Sequence, residues 1–278
     1  MSSVSLSDWC IFSHRHHGHR NRSLDKPCQD ALDTHQTDRV IIASVADGHG
    51  SPKCFRSDVG SQIAVAVAQF VWSRIFADDD VANDGEQDIS LDELPHAIVV
   101  QWRRRVLEAV AKFPFSDSEL EALQKSHRQQ VEVRPLSAYG TTLSTVCITD
   151  NRLYVLQIGD GDIIAVSTEG DVRPLVEQDD LAYEFVHSLS GDDAETNFQF
   201  GCHDLTTSVA LLMLSTDGYR KSYPSDEAFL DVGAQYLDRI RKHGLVMVSD
   251  SIPDWIAKTT DDRSRDDTTV AVVCRVDL

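Results

Sequence analysis

Continuous apolar runs mark three segments of the chain as buried strands. They cover residues 40–46, 209–215 and 268–276, and continuous runs of this length bounded by polar residues are typical of strands inside a core. Three further strands are predicted at residues 141–149, 152–158 and 163–167. The turn dipeptide Asp150-Asn151 joins the first two as a hairpin. Because these strands follow one another directly, the sheets are predicted to be antiparallel.

Helical periodicity appears in other parts of the chain. In residues 54–76, Ile63, Val67, Phe70, Val71 and Ile75 recur at spacings of three and four, so we expect this face to be buried against a sheet. The remaining predicted helices cover residues 94–112, 119–130, 225–242 and 253–258, the last with Pro253 in its first turn. Strand runs kept apart from helix pairs predict an α+β fold in which helices cover the sheets.

Two strongly charged segments are predicted to be loops. Residues 78–93 contain eight acidic and no basic residues, while residues 14–26 contain four histidines, three arginines and one lysine. Neither has the ligand spacing of a calcium loop or of a helical metal site. We therefore interpret both as solvated surface segments.

Charge and cysteine usage narrow the range of functions. The chain has 278 residues, is 41% apolar and carries a formal charge of −19, which repels nucleic acids and anionic membranes. The start of the chain has no secretory pattern, and no apolar run is long enough to cross a bilayer. The six cysteines are scattered, without a Cys-x-x-Cys pair. These features predict a reduced, cytoplasmic protein.

Aspartates cluster at the predicted strand ends. Asp47 and Asp217 each follow a buried strand and precede a glycine, and Asp266 lies just before the last strand. Asp30 precedes another possible strand, and Asp160 follows one. Carboxylates gathered at one sheet edge repel one another unless a cation neutralises them. Oxygen-only ligands favour Mg²⁺ or Mn²⁺ over zinc or copper.

Six short motifs, in order, resemble those of the metal-dependent (PPM, type 2C) Ser/Thr protein phosphatases, and more closely their bacterial branch. They are Cys-Gln-Asp30-Ala, Asp47-Gly-His-Gly50, Tyr139-Gly-Thr-Thr142, Gly159-Asp160-Gly, Ser215-Thr-Asp217-Gly218 and Arg265-Asp-Asp-Thr-Thr269. The resemblance covers nearly the whole chain. It implies a single domain over residues 1–278, with 78–93 as a surface insertion, folded as a four-layer α-β-β-α sandwich with two central antiparallel sheets.

The resemblance also implies a role for each matched residue. Asp47 would bridge two metal ions, the Gly48 carbonyl would hold one of them, and Asp217 and Asp266 the other. Asp30 would act through a bound water, and Asp160 matches the acid of a third, looser metal. His49 matches the histidine proposed to protonate the leaving alkoxide. The implied cofactors are two Mg²⁺ or Mn²⁺ ions, with a third possible.

Two positions depart from the family pattern. Lys221 stands where the family has a further acid for the third metal, which leaves that metal open. The phosphate-binding arginine expected just before Asp30 is replaced by Asp25 and Lys26. Arg20, Arg22 or Lys26 could serve instead, and we favour Arg20 because its planar guanidinium can form paired hydrogen bonds with a phosphate.

The predicted function is metal-dependent hydrolysis of phosphoserine or phosphothreonine in proteins, opposing a Ser/Thr kinase in signalling. Two metal ions can activate a water and stabilise the charge of the transition state, so no serine or cysteine nucleophile is required. Two alternatives stay open at this point. One is a catalytically silent, phosphatase-like regulatory or binding module, and the other is a hydrolase of small phosphoesters.

Overall fold

Two antiparallel five-stranded sheets form the centre of the computed structural model, which describes residues 5–76, 90–176, 186–206 and 208–276. The first sheet has the order β1-β10-β9-β6-β7 and the second β2-β3-β4-β5-β8. The strands are β1 Trp9–His16, β2 Ala31–Gln36, β3 Ile41–Ala46, β4 Leu143–Ile148, β5 Arg152–Ile158, β6 Asp162–Ser167, β7 Val172–Pro174, β8 Gln199–Asp204, β9 Val209–Ser215 and β10 Thr268–Arg275.

Helices cover the outer face of each sheet. The long helix α2 packs on the second sheet, with α3 packed beside it in the same core, and α7 and α8 pack on the first. The helices are α1 His19–Ser23, α2 Ser57–Ile75, α3 Leu94–Lys112, α4 Asp117–Glu121, α5 Lys125–Val133, α6 Asp217–Arg220, α7 Asp226–His243 and α8 Leu245–Asp261. This arrangement confirms the predicted α+β fold, a four-layer α-β-β-α sandwich.

The central strands are continuously apolar because each contributes to two cores. In β3, Ile42 and Ala46 pack in the core beneath α2 and α3, whereas Ile41 and Val45 pack between the two sheets. Successive side chains of a strand point to opposite faces, so a strand that is covered on both faces needs apolar residues throughout. The same division explains the apolar runs of β9 and β10.

The basic segment 14–26 is not the loop that was predicted. Its first residues belong to β1, and residues 19–23 form α1. Strand β1 pairs with one neighbour, β10, and only Trp9, Phe12 and His16 are buried in it. An edge strand with so few buried positions lacks the apolar run that reveals a central strand.

Two predicted helices also differ from those observed. The segment 119–130 forms two helices, α4 and α5, because the backbone is extended at Gln124, where the sequence has neither glycine nor proline to mark a break. Helix α8 begins at Leu245, so Pro253 lies inside it. Val248, Ile252 and Ile256 are buried at spacings of four, and this packing offsets the backbone hydrogen bond that Pro253 cannot donate.

The apolar face predicted for α2 is partly correct. Val67 and Val71 are fully buried, whereas Ile63, Phe70 and Ile75 are partly buried at the margin of the core. Because α2 contacts both α3 and the sheet, its buried surface is wider than one stripe and includes Ala64, Ala68 and Trp72.

The acidic segment 78–93 falls mostly outside the described residues. Of it, Leu91–Glu93 forms a single turn of 3-10 helix in front of α3. Among the helices that the structure describes, none combines the length and the hydropathy that a membrane crossing requires.

Candidate active site

Strand ends from both sheets meet at one cavity of about 290 Å³. Asp47 follows β3, Asp217 follows β9, and Asp266 precedes β10, so three carboxylates arrive from three strands. The structure places all but one of the residues expected at the site on this cavity wall: Arg20, Asp47, Gly48, His49, Asp160, Asp217 and Asp266. The exception is Asp30, which is completely buried.

Two threonines hold the backbone of Asp47. The Thr141 hydroxyl donates to the Asp47 carbonyl at 2.8 Å, and the Asp47 amide donates to the Thr142 hydroxyl at 3.0 Å. The next residue has no room for a side chain, since a Cβ on Gly48 would lie 2.6 Å from the Gln29 carbonyl oxygen. The Tyr139-Gly-Thr-Thr142 motif therefore fixes the position from which the Asp47 carboxylate enters the cavity.

Asp30 is anchored by one carboxylate oxygen. Its Oδ2 accepts hydrogen bonds from the Thr216 hydroxyl at 2.7 Å and the Thr269 hydroxyl at 2.8 Å. Its Oδ1 is buried without a hydrogen-bond partner among the described residues. Burial and the negative charge of Asp267 raise the pKa of Asp30 well above its usual value, although both threonine hydrogen bonds oppose this shift.

The carboxylates of the site destabilise one another's charged forms. Burial raises the pKa of Asp47 well above its usual value, and the charges of Asp30 and Asp217 raise it further. Burial and the charge of Asp217 raise the pKa of Asp160 to about 7. Burial also raises the pKa of Asp266. Such a group of acids favours a bound cation.

Two basic side chains neutralise part of this negative charge. Lys221 donates from its Nζ to Asp217 Oδ2, and Arg20 donates from its Nη1 to Asp266 Oδ2 at 3.3 Å. Lys221 is the residue that departs from the family pattern, and its charge also acts on Asp160 and Asp47. A side-chain ammonium thus lies against the carboxylates that the sequence assigns to metal ions.

The donor set fits a hard divalent cation in chemical type. All donors are oxygens, the Oδ1 of Asp30 is unpartnered, and the carboxylates raise one another's pKa. Within the described ranges, however, no three His, Cys, Asp or Glu side chains are already arranged to hold a metal ion. The ammonium group of Lys221 occupies Asp217 Oδ2 and therefore competes with a cation for this carboxylate.

His49 borders the cavity with its ring packed against the backbone. A Cβ on Gly140 would lie 2.9 Å from the His49 ring, so glycine is needed at that position. Burial, assisted by the charge of Lys53, lowers the pKa of His49 to about 4, while Asp217 acts in the opposite direction. The imidazole is therefore neutral at pH 7. A phosphate dianion beside the ring would raise this pKa.

The three basic candidates for phosphate binding have different surroundings. Arg22 donates from its Nη2 to both carboxylate oxygens of Asp261, at 2.7 and 2.6 Å, and does not line the cavity. Arg20 and Lys26 both line it. Arg20 lies on α1 with its side chain 63% exposed, which leaves most of the guanidinium free to meet an entering anion.

The sequence did not reveal the structural role of Asp267. Its Oδ1 accepts from the Gly18 amide at 2.7 Å, and its Oδ2 accepts from the Asn21 side chain at 2.7 Å and the Gln29 amide at 2.6 Å. This carboxylate ties the segment around α1 to the start of β10. The sequence contains the pair Asp266-Asp267, but only the structure shows that Asp267 is the buried member that holds these segments together.

A second buried acid beside the site was also missed. Asp162 accepts two hydrogen bonds from the Arg220 Nε, at 3.0 and 3.1 Å. Burial raises the pKa of Asp162 to about 6, although Arg220 acts to lower it. The two residues lie 58 positions apart in the chain, and no local pattern links them.

Comparison with known proteins gives one family and a common fold. A family model described as Protein phosphatase 2C matches residues 17–257. No curated protein matches the chain. Among solved structures, a C. elegans sex determining protein has 14% identity and a TM-score of 0.62, with 99% of this chain and 65% of that chain covered.

Two further solved structures contain metal ions. The catalytic domain of the serine threonine protein phosphatase PstP, in complex with 2 manganese ions, has 17% identity and a TM-score of 0.58, with 96% of this chain and 98% of that chain covered. RsbX in complex with magnesium has 13% identity and a TM-score of 0.53, with 99% of this chain and 98% of that chain covered. At these identities the similarity establishes the fold alone.

Proposed function

The chain belongs to the protein phosphatase 2C family, and on this basis we propose that it hydrolyses phosphoserine and phosphothreonine in proteins with the help of divalent cations. The observation that carries the proposal is the convergence of Asp47, Asp160, Asp217 and Asp266 on one cavity above the buried Asp30. A phosphate monoester is extremely slow to hydrolyse unaided, and such a cluster of oxygen ligands is suited to the cations that accelerate this reaction.

Two Mg²⁺ or Mn²⁺ ions are the proposed cofactors. Asp47 and the Gly48 carbonyl, together with Asp217 and Asp266, would hold them, and Asp30 would orient a water beneath them. When bound, such ions supply an activated water and neutralise charge on the phosphoryl oxygens. The manganese in PstP and the magnesium in RsbX support this choice. Asp160 would bind a third ion only if the ammonium group of Lys221 moved away from the carboxylates.

The residues around the cavity would position the substrate. Arg20 extends from α1 over the cavity, where its guanidinium can receive the phosphate by paired hydrogen bonds. His49, in the Asp47-Gly-His-Gly50 motif, lines the same cavity. The arriving dianion would raise its pKa so that it can protonate the leaving serine or threonine oxygen. The anchoring of Asp47 by Thr141 and Thr142 keeps this arrangement fixed before the substrate binds.

A phosphorylated protein is the proposed substrate, and a Ser/Thr kinase the opposing enzyme. We assign the reaction to the cytoplasm, and the presence of all six cysteines as free thiols supports this assignment. The negative charge of the chain disfavours nucleic acids and anionic membranes as partners.

The test is phosphate release from a phosphothreonine peptide. The purified protein is treated with EDTA, assayed, and assayed again after addition of Mn²⁺ or Mg²⁺. We expect turnover only with the added cation. Absence of turnover with either cation would indicate a silent, phosphatase-like binding protein. Efficient hydrolysis of small phosphoesters alone, without the peptide, would identify the other alternative.

A further inference from the structure

A second cavity of about 520 Å³ lies between α6, α7 and α8, on the outer side of the first sheet. Four aromatic rings line it: Tyr219, Tyr223, Tyr236 and Trp255. The hydroxyl groups of Tyr219 and Tyr236 form a hydrogen bond of 2.8 Å deep in the wall. The Tyr236 and Trp255 rings are stacked, with centroids 6.2 Å apart. The cavity therefore offers flat apolar surface with hydroxyl groups set into it.

Three basic side chains surround this aromatic wall. Arg239 places its guanidinium 4.3 Å from the centroid of the Trp255 ring, and Lys258 and Arg263 line the same cavity. Asp262 is the one acid among the lining residues. In the part of the chain that the structure describes, none of the three cations is in an ion pair.

Three cations face a single carboxylate in the lining of this cavity, although the whole chain carries a formal charge of −19. On the same helix α7, Lys242 by contrast pairs with Asp238 outside the cavity. Three cations without acidic partners, around a concave aromatic surface, form a local positive field that attracts an anion. The cavity volume lies within the range of small-molecule sites.

We propose that this cavity binds a small anion that carries a planar ring, of the class of a nucleoside monophosphate. The anionic group would bind to Arg239, Lys258 and Arg263, because guanidinium and ammonium groups are the side chains that recognise phosphate. The ring would pack against the exposed parts of Tyr223 and Trp255, which are both partly buried.

Two segments that line this second cavity continue along the chain into the active site. Tyr219 follows the proposed metal ligand Asp217 by two residues, and Arg263 precedes Asp266 by three. The hydroxyl of Ser222 connects these two segments, since it donates to the Gly218 carbonyl and bonds the Ser264 hydroxyl, each at 2.8 Å. A ligand in the cavity therefore contacts both segments that carry metal ligands, and we expect it to alter turnover. This regulatory effect rests on the proposed function, whereas the binding does not.

Tryptophan fluorescence can report on this cavity. Of the four tryptophans, Trp9, Trp72 and Trp102 are at most 2% exposed, and Trp255 is the partly accessible one. The probe is AMP, titrated into the full-length protein in EDTA, so that metal-mediated binding at the active site does not contribute. We expect a saturable change in emission, with the same dissociation constant by calorimetry.

Comparison of related ligands and of variants shows which parts of AMP and which side chains of the cavity contribute to binding. Adenosine and ribose 5-phosphate should each bind at least several-fold more weakly than AMP. Arg239→Gln and Arg263→Gln should each weaken AMP binding roughly five- to tenfold, as expected for loss of one charged contact. The control Arg241→Gln lies on the same helix but donates to the Thr168 carbonyl outside the cavity, and should leave binding unchanged.

Several results would overturn the proposal. It fails if AMP gives no saturable binding at millimolar concentration, or if Arg241→Gln weakens binding as much as Arg239→Gln. Ribose 5-phosphate binding as tightly as AMP would refute the role of the ring. In the phosphatase assay, AMP should change the rate of the wild-type protein but not of Arg239→Gln. Binding without any change in rate would refute the regulatory effect, and absence of all turnover would refute the proposed function while the binding site stands.

Discussion

Lys221 donates a hydrogen bond from its Nζ to Asp217 Oδ2, one helical turn earlier in the chain. The contact joins the residue that departs from the family pattern to a carboxylate expected to bind metal. An ammonium group at this place competes with any cation for Asp217 and lowers the affinity of the whole site for positive charge.

The first prediction concerns that competition. Lys221→Gln should increase the affinity for Mn²⁺ by roughly three- to tenfold, because the cation no longer displaces an ion pair that is partly exposed. Calorimetric titration of the metal-free protein measures this directly. Lys242→Gln is the control, since Lys242 makes the same i,i+4 contact with Asp238 on the exposed side of α7. Unchanged or weaker Mn²⁺ binding in Lys221→Gln would contradict the competition.

The second prediction separates two neighbouring arginines on α1. Arg20→Ala should raise KM for a phosphopeptide several-fold, because Arg20 lines the cavity. Arg22→Ala should leave KM unchanged and lower the free energy of unfolding by about 0.5–1 kcal/mol, since Arg22 binds the partly exposed Asp261. Steady-state kinetics and urea denaturation of both variants provide the measurement. An unchanged KM in Arg20→Ala would contradict its role, and if Lys26→Ala also leaves KM unchanged, the phosphate is held by the cations and the backbone.

The third prediction concerns proton donation by His49. His49→Gln should lower kcat for a phosphothreonine peptide by about 10²–10⁴, the usual contribution of a positioned acid. The same variant should hydrolyse p-nitrophenyl phosphate almost normally, because its leaving group needs little protonation. Parallel rate measurements on both substrates decide the question. Equal losses would make His49 a structural residue packed on Gly140.

The fourth prediction concerns an ion pair whose two residues do not line the active-site cavity. Arg56 binds both carboxylate oxygens of Glu119, at 2.8 and 2.9 Å, and this lowers the pKa of Glu119 to about 2. A lowered carboxyl pKa stabilises the fold above the ordinary value near 4.5, and this stabilisation disappears as the pH falls toward 2. Glu119→Gln retains the capping box with Ser116 but loses the charge.

We therefore expect Glu119→Gln to lower the free energy of unfolding by about 1–2 kcal/mol at pH 7, after allowance for partial exposure. The difference from wild type should already be smaller at pH 4. Urea denaturation at both pH values measures it, with Glu108→Gln as control because Glu108 is more exposed and lies 3.9 Å from Arg104. A difference that is independent of pH would show that the charge of Glu119 contributes nothing.

The strands that the sequence revealed are those with two covered faces. Strands β3, β9 and β10 supply two cores each, so their apolar runs are continuous. Strands β1, β7 and β8 lie at sheet edges, where few positions need to be apolar, and the sequence did not reveal them. Periodicity thus located the central strands of each sheet, and of the four edge strands only β2 was anticipated, as the possible strand after Asp30.

In the candidate site, the sequence likewise located the residues at strand ends but not the contacts between distant segments. The motif resemblance located Asp47, Asp217 and the pair Asp266-Asp267, because these lie at strand ends. It could not show that Asp267 is bound by three donors from distant segments, since no local signal connects residues 18 and 267. The contact of Lys221 with Asp217 could have been inferred from the i,i+4 spacing alone.

The most direct test of metal-dependent catalysis is kcat/KM for a phosphothreonine peptide in Asp217→Asn, measured across a Mn²⁺ titration. Its control is Asp231→Asn, which removes an exposed carboxylate on α7 that accepts a hydrogen bond from Gln235. Loss of a ligand charge should lower kcat/KM by at least about a thousandfold, the equivalent of roughly 4 kcal/mol in transition-state stabilisation. Asp231→Asn should retain wild-type activity. Full activity of Asp217→Asn at every Mn²⁺ concentration would contradict the proposed role of the strand-end aspartates.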